Sequence, residues 1–419
     1  MTKKSKDCDV LLVSTLDDIC WLLNLRGTDI DYNPVFFSFV CFWPKTKTAT
    51  LYVNPSKVES VSDYLASIDV KVQPYEKVTE DLTSFIAEGF KVGFDKNKAN
   101  SSLFKIVESN FFETDDLIAE IKMVKNETES TGMRNANIRD CAAIMKYFAW
   151  LEQELAKPDH GITEFTGARK VESFRAESEL FRGPSFDSIS SIGSNGAVIH
   201  YKPEEDTCKT INNKEIYLLD SGGQYLDGTT DITRCGHFSG CEPKPFEKEA
   251  YTRVLLGTLE VERIIWPKSC PLTGMMIEVL GRRNLWAAGL DFAHSIGHGV
   301  GTFLNVHEGP NGISRVNKTV IEAGMCVSDE PGYYKDGEFG IRIENVIICQ
   351  KHPEFPDYLM WENMTVAPYC RELIDVNLLP AEMRVYLDTF HQKCLSLLTP
   401  FLEKDPLALA YVTRQCQPL

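Results

Sequence analysis

The chain of 419 residues is 43% apolar and 25% charged and carries a formal net charge of −16. That acidic surplus excludes a general nucleic-acid binder, which neutralises phosphates with excess Lys and Arg. No stretch approaches the roughly 20 apolar residues of a membrane span, and the short apolar run after the basic start TKKSK is no signal-peptide core.

The length favours two domains, the larger able to enclose a site. TKKSK reads as a solvated terminus. Thirteen cysteines without a C-x-x-C pair fit free thiols in a reducing, cytoplasmic setting better than a disulfide framework. The nearest two, Cys235 and Cys241, could bridge but read as unpaired.

In chain order, VLLVS, VFFSFVCFW, TATLYVN and VKVQPY read as strands separated by helix-like stretches such as VESVSDYLASI, a small α/β domain over residues 1–122. The turn-rich KMVKNETESTGM marks a boundary, and residues 123–419 form the second domain. There Met133, Ile138, Ile144, Phe148, Leu151 and Leu155 predict an amphipathic helix from Met133 to Leu155. Phe246–Ile265 and Met275–Ala288 also predict helices. EIYLLD, DITRCGHF, CVSDEPGYY and FGIRIENVIICQ predict strands, and no internal repeat is evident. Long helices followed by antiparallel strand pairs indicate an α+β sheet with helices on one face.

Three of the eight histidines, His294, His298 and His307, fall in the glycine-rich FAHSIGHGVGTFLNVHEGP. Gly297, Gly299 and Gly301 are expected to let the backbone approach metal and substrate. Asp220 and Asp231 flank Gly-Gly and Asp-Gly turn signals, so a hairpin can aim both at one point, although taken alone the pair reads more readily as ordinary turn aspartates. Glu330 precedes a Pro-Gly turn. Arg342 and Glu344 share one face of a period-two strand, either as a surface salt bridge or as a buried carboxylate needing a cation. Four carboxylates and one imidazole balance two divalent cations, which roughly 3.5–4 Å apart could polarise a carbonyl for hydrolysis. The oxygen-rich set leans towards manganese, with cobalt, iron or zinc as substitutes.

Asp220 in LLDSG, Asp231 in DGTTDITR, His298 in GHGVG, Glu330 in DEPGYY and Glu344 in RIEN, in that order, resemble the five-ligand signature of the pita-bread metallopeptidases. WLLNLRGTDIDYNPVFFSF, NGAVIHYKP, GHGVGTFLNVHEGP and DEPGYYKDGEFGIRIENV further resemble the cytosolic eukaryotic aminopeptidase P, or Xaa-Pro aminopeptidase, branch, along nearly the whole chain. The resemblance implies a pita-bread catalytic domain, a curved antiparallel sheet backed by helices, after a smaller creatinase-N-like α/β domain. It implies that Asp220 chelates one metal, Asp231 and Glu344 bridge two, and His298 and Glu330 complete the second site. Glu330 becomes the proton shuttle, His294, His307 and His200 face substrate, and Arg342 orients the neighbouring carboxylates. The implied activity is removal of the first residue from peptides with proline second, by a cytoplasmic homodimer. Prolidase is the nearest alternative; a catalytically silent relative binding peptides or histones is another. Related three-domain enzymes carry a further domain before the LNLRG region, so this chain is expected to lack the first of three.

Overall fold

The computed structural model describes residues 7–115, 117–238 and 241–419, so the basic start lies outside the described residues. Two compact units divide the chain, Met1–Lys122 and Met123–Leu419.

In the first unit six short strands form one mixed sheet in the order Val70–Gln73, Thr48–Tyr52, Phe39–Trp43, Val10–Val13, Val92–Phe94, Phe111–Glu113. The β-branched and aromatic residues that predict these strands are those the sheet buries, with Val10, Leu12, Cys41, Tyr52, Val92 and Phe94 in one core. Helix Lys77–Ala87 adds Val78 and Leu82, one turn apart on its apolar face.

The second unit begins with a helix longer than its apolar pattern suggests, Glu127–Leu155 rather than Met133–Leu155. The extra turns start at a capping box: Asn126 Oδ1 accepts from Glu129 N and the Glu129 carboxylate from Asn126 N, both at 3.0 Å. Gly132 sits in those turns because a Cβ there would lie 2.1 Å from the Asp227 carbonyl oxygen, so the hairpin tip docks directly on the helix.

That hairpin pairs Tyr217–Ser221 with Ile232–Gly236, opposing Asp220 to Thr233, and its tip pairs Gly223–Tyr225 with Gly228–Thr229. A six-stranded antiparallel sheet runs Ile265–Pro267, Tyr358–Asn363, Asn345–Lys351, Cys326–Asp329, Gly297–Gly299, Glu308–Ile313. The single strand expected over GIRIENVII is broken into Phe339–Arg342 and Asn345–Lys351. At the break Glu344 N turns to donate to Thr233 O at 3.2 Å, tying the hairpin to the larger sheet. A repetition unseen in the sequence also emerges. Thr163 caps helix Glu164–Ala176 and bridges to Thr210, as Thr273 precedes helix Gly274–Trp286 and bridges to Val320.

The helices and curved sheets carry the α+β fold. None of the thirteen cysteines forms a disulfide, Cys235 being buried and Cys241 exposed. Among the described residues no helix is long and apolar enough to cross a membrane.

One buried ion pair anchors the hairpin to the helices. Arg175, 0% exposed, donates through Nε and Nη2 to the two oxygens of Asp140 at 2.7 and 2.9 Å. Arg175 Nη2 also donates to Ser221 Oγ and Tyr225 Oη to Asp140 Oδ1. Removing one partner of a buried pair leaves the other charge uncompensated. Asp140→Ala is therefore expected to cost about 3–5 kcal/mol in chemical denaturation; a loss below about 1 kcal/mol, the range of a surface pair, contradicts the assignment.

Candidate metal centre

A cleft of about 810 Å³ opens in the second unit, and its lining includes all nine residues singled out in the sequence: His200, Asp220, Asp231, His294, His298, His307, Glu330, Arg342 and Glu344. Ligand-capable atoms of Asp220, Asp231 and Glu344 lie within 4.8 Å of one another, as do those of His298, Glu330 and Glu344, and of Asp231, His298 and His307. The first two trios share Glu344, which joins the carboxylates of the hairpin to the histidine and Glu330.

The strands explain this convergence. Asp220 sits near the end of Tyr217–Ser221, and Asp231 falls between Gly228–Thr229 and Ile232–Gly236, where the hairpin passes from one sheet to another. Glu330 follows Cys326–Asp329, Glu344 lies in the break before Asn345–Lys351, and His298 sits at a register shift beside Gly299.

At the three glycines an added Cβ would meet neighbouring protein backbone. A Cβ on Gly297 would lie 1.9 Å from Ser328 O, on Gly299 2.4 Å from Glu308 O, and on Gly301 2.8 Å from Asn305 O. They let neighbouring backbone pack around His298.

Burial dominates the electrostatics. It pushes Asp231, Glu344 and Glu330 above the ordinary carboxylate range, and the neighbouring carboxylates push Asp231 and Glu344 further. The buried Arg342 supplies the fixed counter-charge, donating to Asp220 Oδ2 at 2.5 Å, Thr233 Oγ1 at 3.2 Å and Tyr334 Oη at 2.8 Å. Thr233 Oγ1 donates in turn to Glu344 Oε2 at 2.8 Å. Ser328 donates to Glu330 Oε1 at 3.1 Å while accepting from His298 N.

His298 turns one ring nitrogen into the cluster. Its Nδ1 lies 2.9 Å from the Gly299 carbonyl, which can only accept, so Nδ1 carries an N–H and Nε2 is the nitrogen turned to the carboxylates. That Nε2 faces Asp231 Oδ2 at 3.4 Å and Glu330 Oε1 at 3.3 Å. Lone pairs so opposed require a cation or a proton between them. Asp220 Oδ1 is buried without a hydrogen-bond partner, a further oxygen whose lone pairs are open to a cation. The donor set thus fits two divalent metals.

The other histidines differ. His294 donates through Nδ1 to Ser295 O at 2.7 Å, and its Nε2 accepts from Tyr334 Oη at 2.8 Å, so both ring nitrogens are engaged. Burial, then the Arg342 charge, lowers it to about 4. His307 is exposed with its ring centroid 4.0 Å from that of His298; burial of its titrating atoms and the His298 ring lower it to about 4. His200 is exposed on the cleft wall. The motifs pass over Tyr334 and Thr233, whose only sequence signal is lying four residues after Glu330 and two after Asp231.

The profile of Metallopeptidase family M24 matches residues 131–351, that of the Creatinase/Prolidase N-terminal domain residues 1–129, and that of the C-terminal region of peptidase_M24 residues 357–419. A probable Xaa-Pro aminopeptidase P of Pyrenophora teres f. teres is 44% identical over 97% of this chain and 64% of its own length. Among solved structures, the X-prolyl aminopeptidase of Caenorhabditis elegans, a cytosolic enzyme with a di-nuclear active site, superposes with a TM-score of 0.92. It is 31% identical, over 99% of this chain and 69% of its own. The Xaa-Pro dipeptidase of Bacillus anthracis gives a TM-score of 0.70 at 25% identity, over 86% of this chain and 94% of its own. The chain spans about two-thirds of the fungal relative and of the nematode enzyme. With a metallopeptidase profile over more than half of its residues and such likeness nearly end to end, the chain belongs to metallopeptidase family M24.

Proposed function

We propose that the chain is a dinuclear metalloaminopeptidase that releases the N-terminal residue from peptides with proline in the second position. The observation that carries this is the pair of ligand trios sharing Glu344, read beside an aminopeptidase relative alike over 97% of the chain. Asp220 would hold one metal, Asp231 and Glu344 would serve both, and His298 and Glu330 would complete the second site. When bound, the metals polarise the scissile carbonyl and activate water. The donor chemistry favours manganese, with cobalt, iron or zinc able to substitute.

The chain's own groups do the rest. Glu330, whose proton affinity burial raises, accepts a proton at the attacking side and returns it to the proline nitrogen, which leaves as a secondary amine. His307 and His200, both exposed in the cleft, offer N–H groups to substrate oxygens. His294 reaches substrate only by giving up Ser295 or Tyr334. Arg342 and Thr233 fix the Asp220 and Glu344 carboxylates.

The metal-loaded chain is expected to release arginine from an Arg-Pro-Pro peptide. Asp231→Ala and Glu344→Ala should each lower kcat/KM by roughly 10³-fold or more, the several kcal/mol that a Lewis-acid metal contributes. His298→Ala should lose metal by elemental analysis. Normal turnover by either carboxylate variant, or full metal occupancy without His298, sinks the dinuclear assignment.

Prolidase is the second reading, favoured by the likeness to the Bacillus anthracis dipeptidase. Hydrolysis of the tripeptide with an Xaa-Pro dipeptide left intact supports the aminopeptidase; the opposite selectivity supports prolidase.

The reading extends to a cytoplasmic homodimer. Met275, Met276, Val279 and Trp286 of one helix are 43–53% exposed, an apolar face that a second copy can cover. Light scattering should give twice the 47.3 kDa chain mass, reduced to the single mass by Val279→Glu. A monomeric parent chain removes this part of the reading.

A further inference from the structure

Within the loop between His298 and His307, Gly301 N donates to Asn305 O at 3.0 Å. Phe303 adopts φ +50°, a left-handed conformation that a bulky residue keeps only where its surroundings over-determine it. The next residue, Leu304, is fully buried, and side chains capture both of its backbone groups. Gln224 Nε2 donates to Leu304 O at 2.7 Å, and Leu304 N donates to Thr229 Oγ1 at 3.3 Å. The Thr229 hydroxyl donates to Gln224 Oε1 at 2.7 Å, so the Gln224 amide can turn only its NH₂ towards Leu304.

Gln224 and Thr229 oppose each other across the hairpin tip and are 3% and 0% exposed. The same hairpin carries Asp220 and Asp231. At the far end of the loop, Glu308, the residue after His307, forms a buried ion pair with Lys125. The His307 ring, 4.0 Å from His298, is thereby referenced to the strands that present the hairpin carboxylates.

We propose that Gln224 and Thr229 are positioning residues, a polar latch on Leu304 that holds His307 in register with the Asp220–Asp231 hairpin. The consequence for turnover rests on the reading of His307 as substrate-facing. A shift of about 1 Å at such a group costs on the order of 10²-fold. The latch explains why an amide is buried at the hairpin tip, where strand pairing needs only its backbone.

The test uses Gln224→Met and Thr229→Val, which keep volume and remove the polar contacts, with Thr229→Ser as the variant that keeps the hydroxyl. Each of the first two is expected to retain the metal content of the parent and to lower kcat/KM by roughly 10- to 100-fold. Beside His307→Ala the same substitutions should change kcat/KM by no more than about twofold, because residues acting through one group are not additive. Hydrogen exchange of residues 301–307 in the ion-free chain, read by mass spectrometry, requires no turnover. It should rise in Gln224→Met and Thr229→Val and return to parental protection in Thr229→Ser. Unchanged exchange overturns the proposal, as does loss of metal in the first two variants or a full-sized loss of activity beside His307→Ala. If the parent chain hydrolyses no Xaa-Pro peptide while exchange responds as stated, the aminopeptidase reading fails and the latch stands.

Discussion

Buried negative charge is the constraint around which the second unit is arranged. Asp220, Asp231 and Glu344 are 8%, 3% and 1% exposed and share a trio of ligand atoms, while the Arg342 guanidinium donates to the Asp220 carboxylate. Carboxylates so placed must be neutralised by protons or cations, so metal uptake and proton release at this cluster are one event. Arg342 is held from three sides, by Asp220, Thr233 and Tyr334. It contributes a fixed single charge and leaves the remaining deficit to whatever binds.

That deficit also accounts for the irregular strands. In a regular strand successive side chains alternate faces, and residues two apart run parallel instead of converging. Bringing five ligand-capable groups from separate segments to one point needs strands that stop, shift register or change sheet. Asp231, Glu330 and Glu344 each lie between two strands, and His298 sits at a register shift. The broken GIRIENVII segment is the clearest case. No glycine or proline interrupts the sequence from Ile341 to Ile348, yet Ile343 N turns to Pro331 O and Glu344 N to Thr233 O. The partners that pull the strand apart lie elsewhere in the chain and are invisible to periodicity.

Legibility divides along the same line. Asp220, Asp231, His298 and Glu330 are readable because glycine or proline turn signals lie near each, and Glu344 because it is a carboxylate in an otherwise apolar strand; all of them line one cleft. The capping box at Asn126 and Glu129 was equally local, but its position in a polar, turn-like stretch masks a helix start. Contacts such as Lys125 with Glu308, Gln224 with Leu304 and Arg342 with Tyr334 are matters of tertiary neighbourhood. No spacing along the chain encodes them. The glycines around His298 teach the same lesson: their demand is local, but the atoms making it belong to Ser328, Glu308 and Asn305.

The histidines show how far a residue type is from a role. Three imidazoles within one short segment differ in what each nitrogen meets. His298 spends Nδ1 on its neighbour's carbonyl and turns Nε2 to two carboxylates. His294 has both nitrogens engaged, one of them by a tyrosine that Arg342 also holds. His307 stands exposed on a loop whose backbone is fastened to the hairpin tip. A metal ligand needs an unshared lone pair, a substrate donor needs an unshared N–H, and a ring with neither transmits position between its partners. The backbone carbonyls of Gly299 and Ser295, by fixing where the proton sits, make that distinction before any metal or peptide arrives.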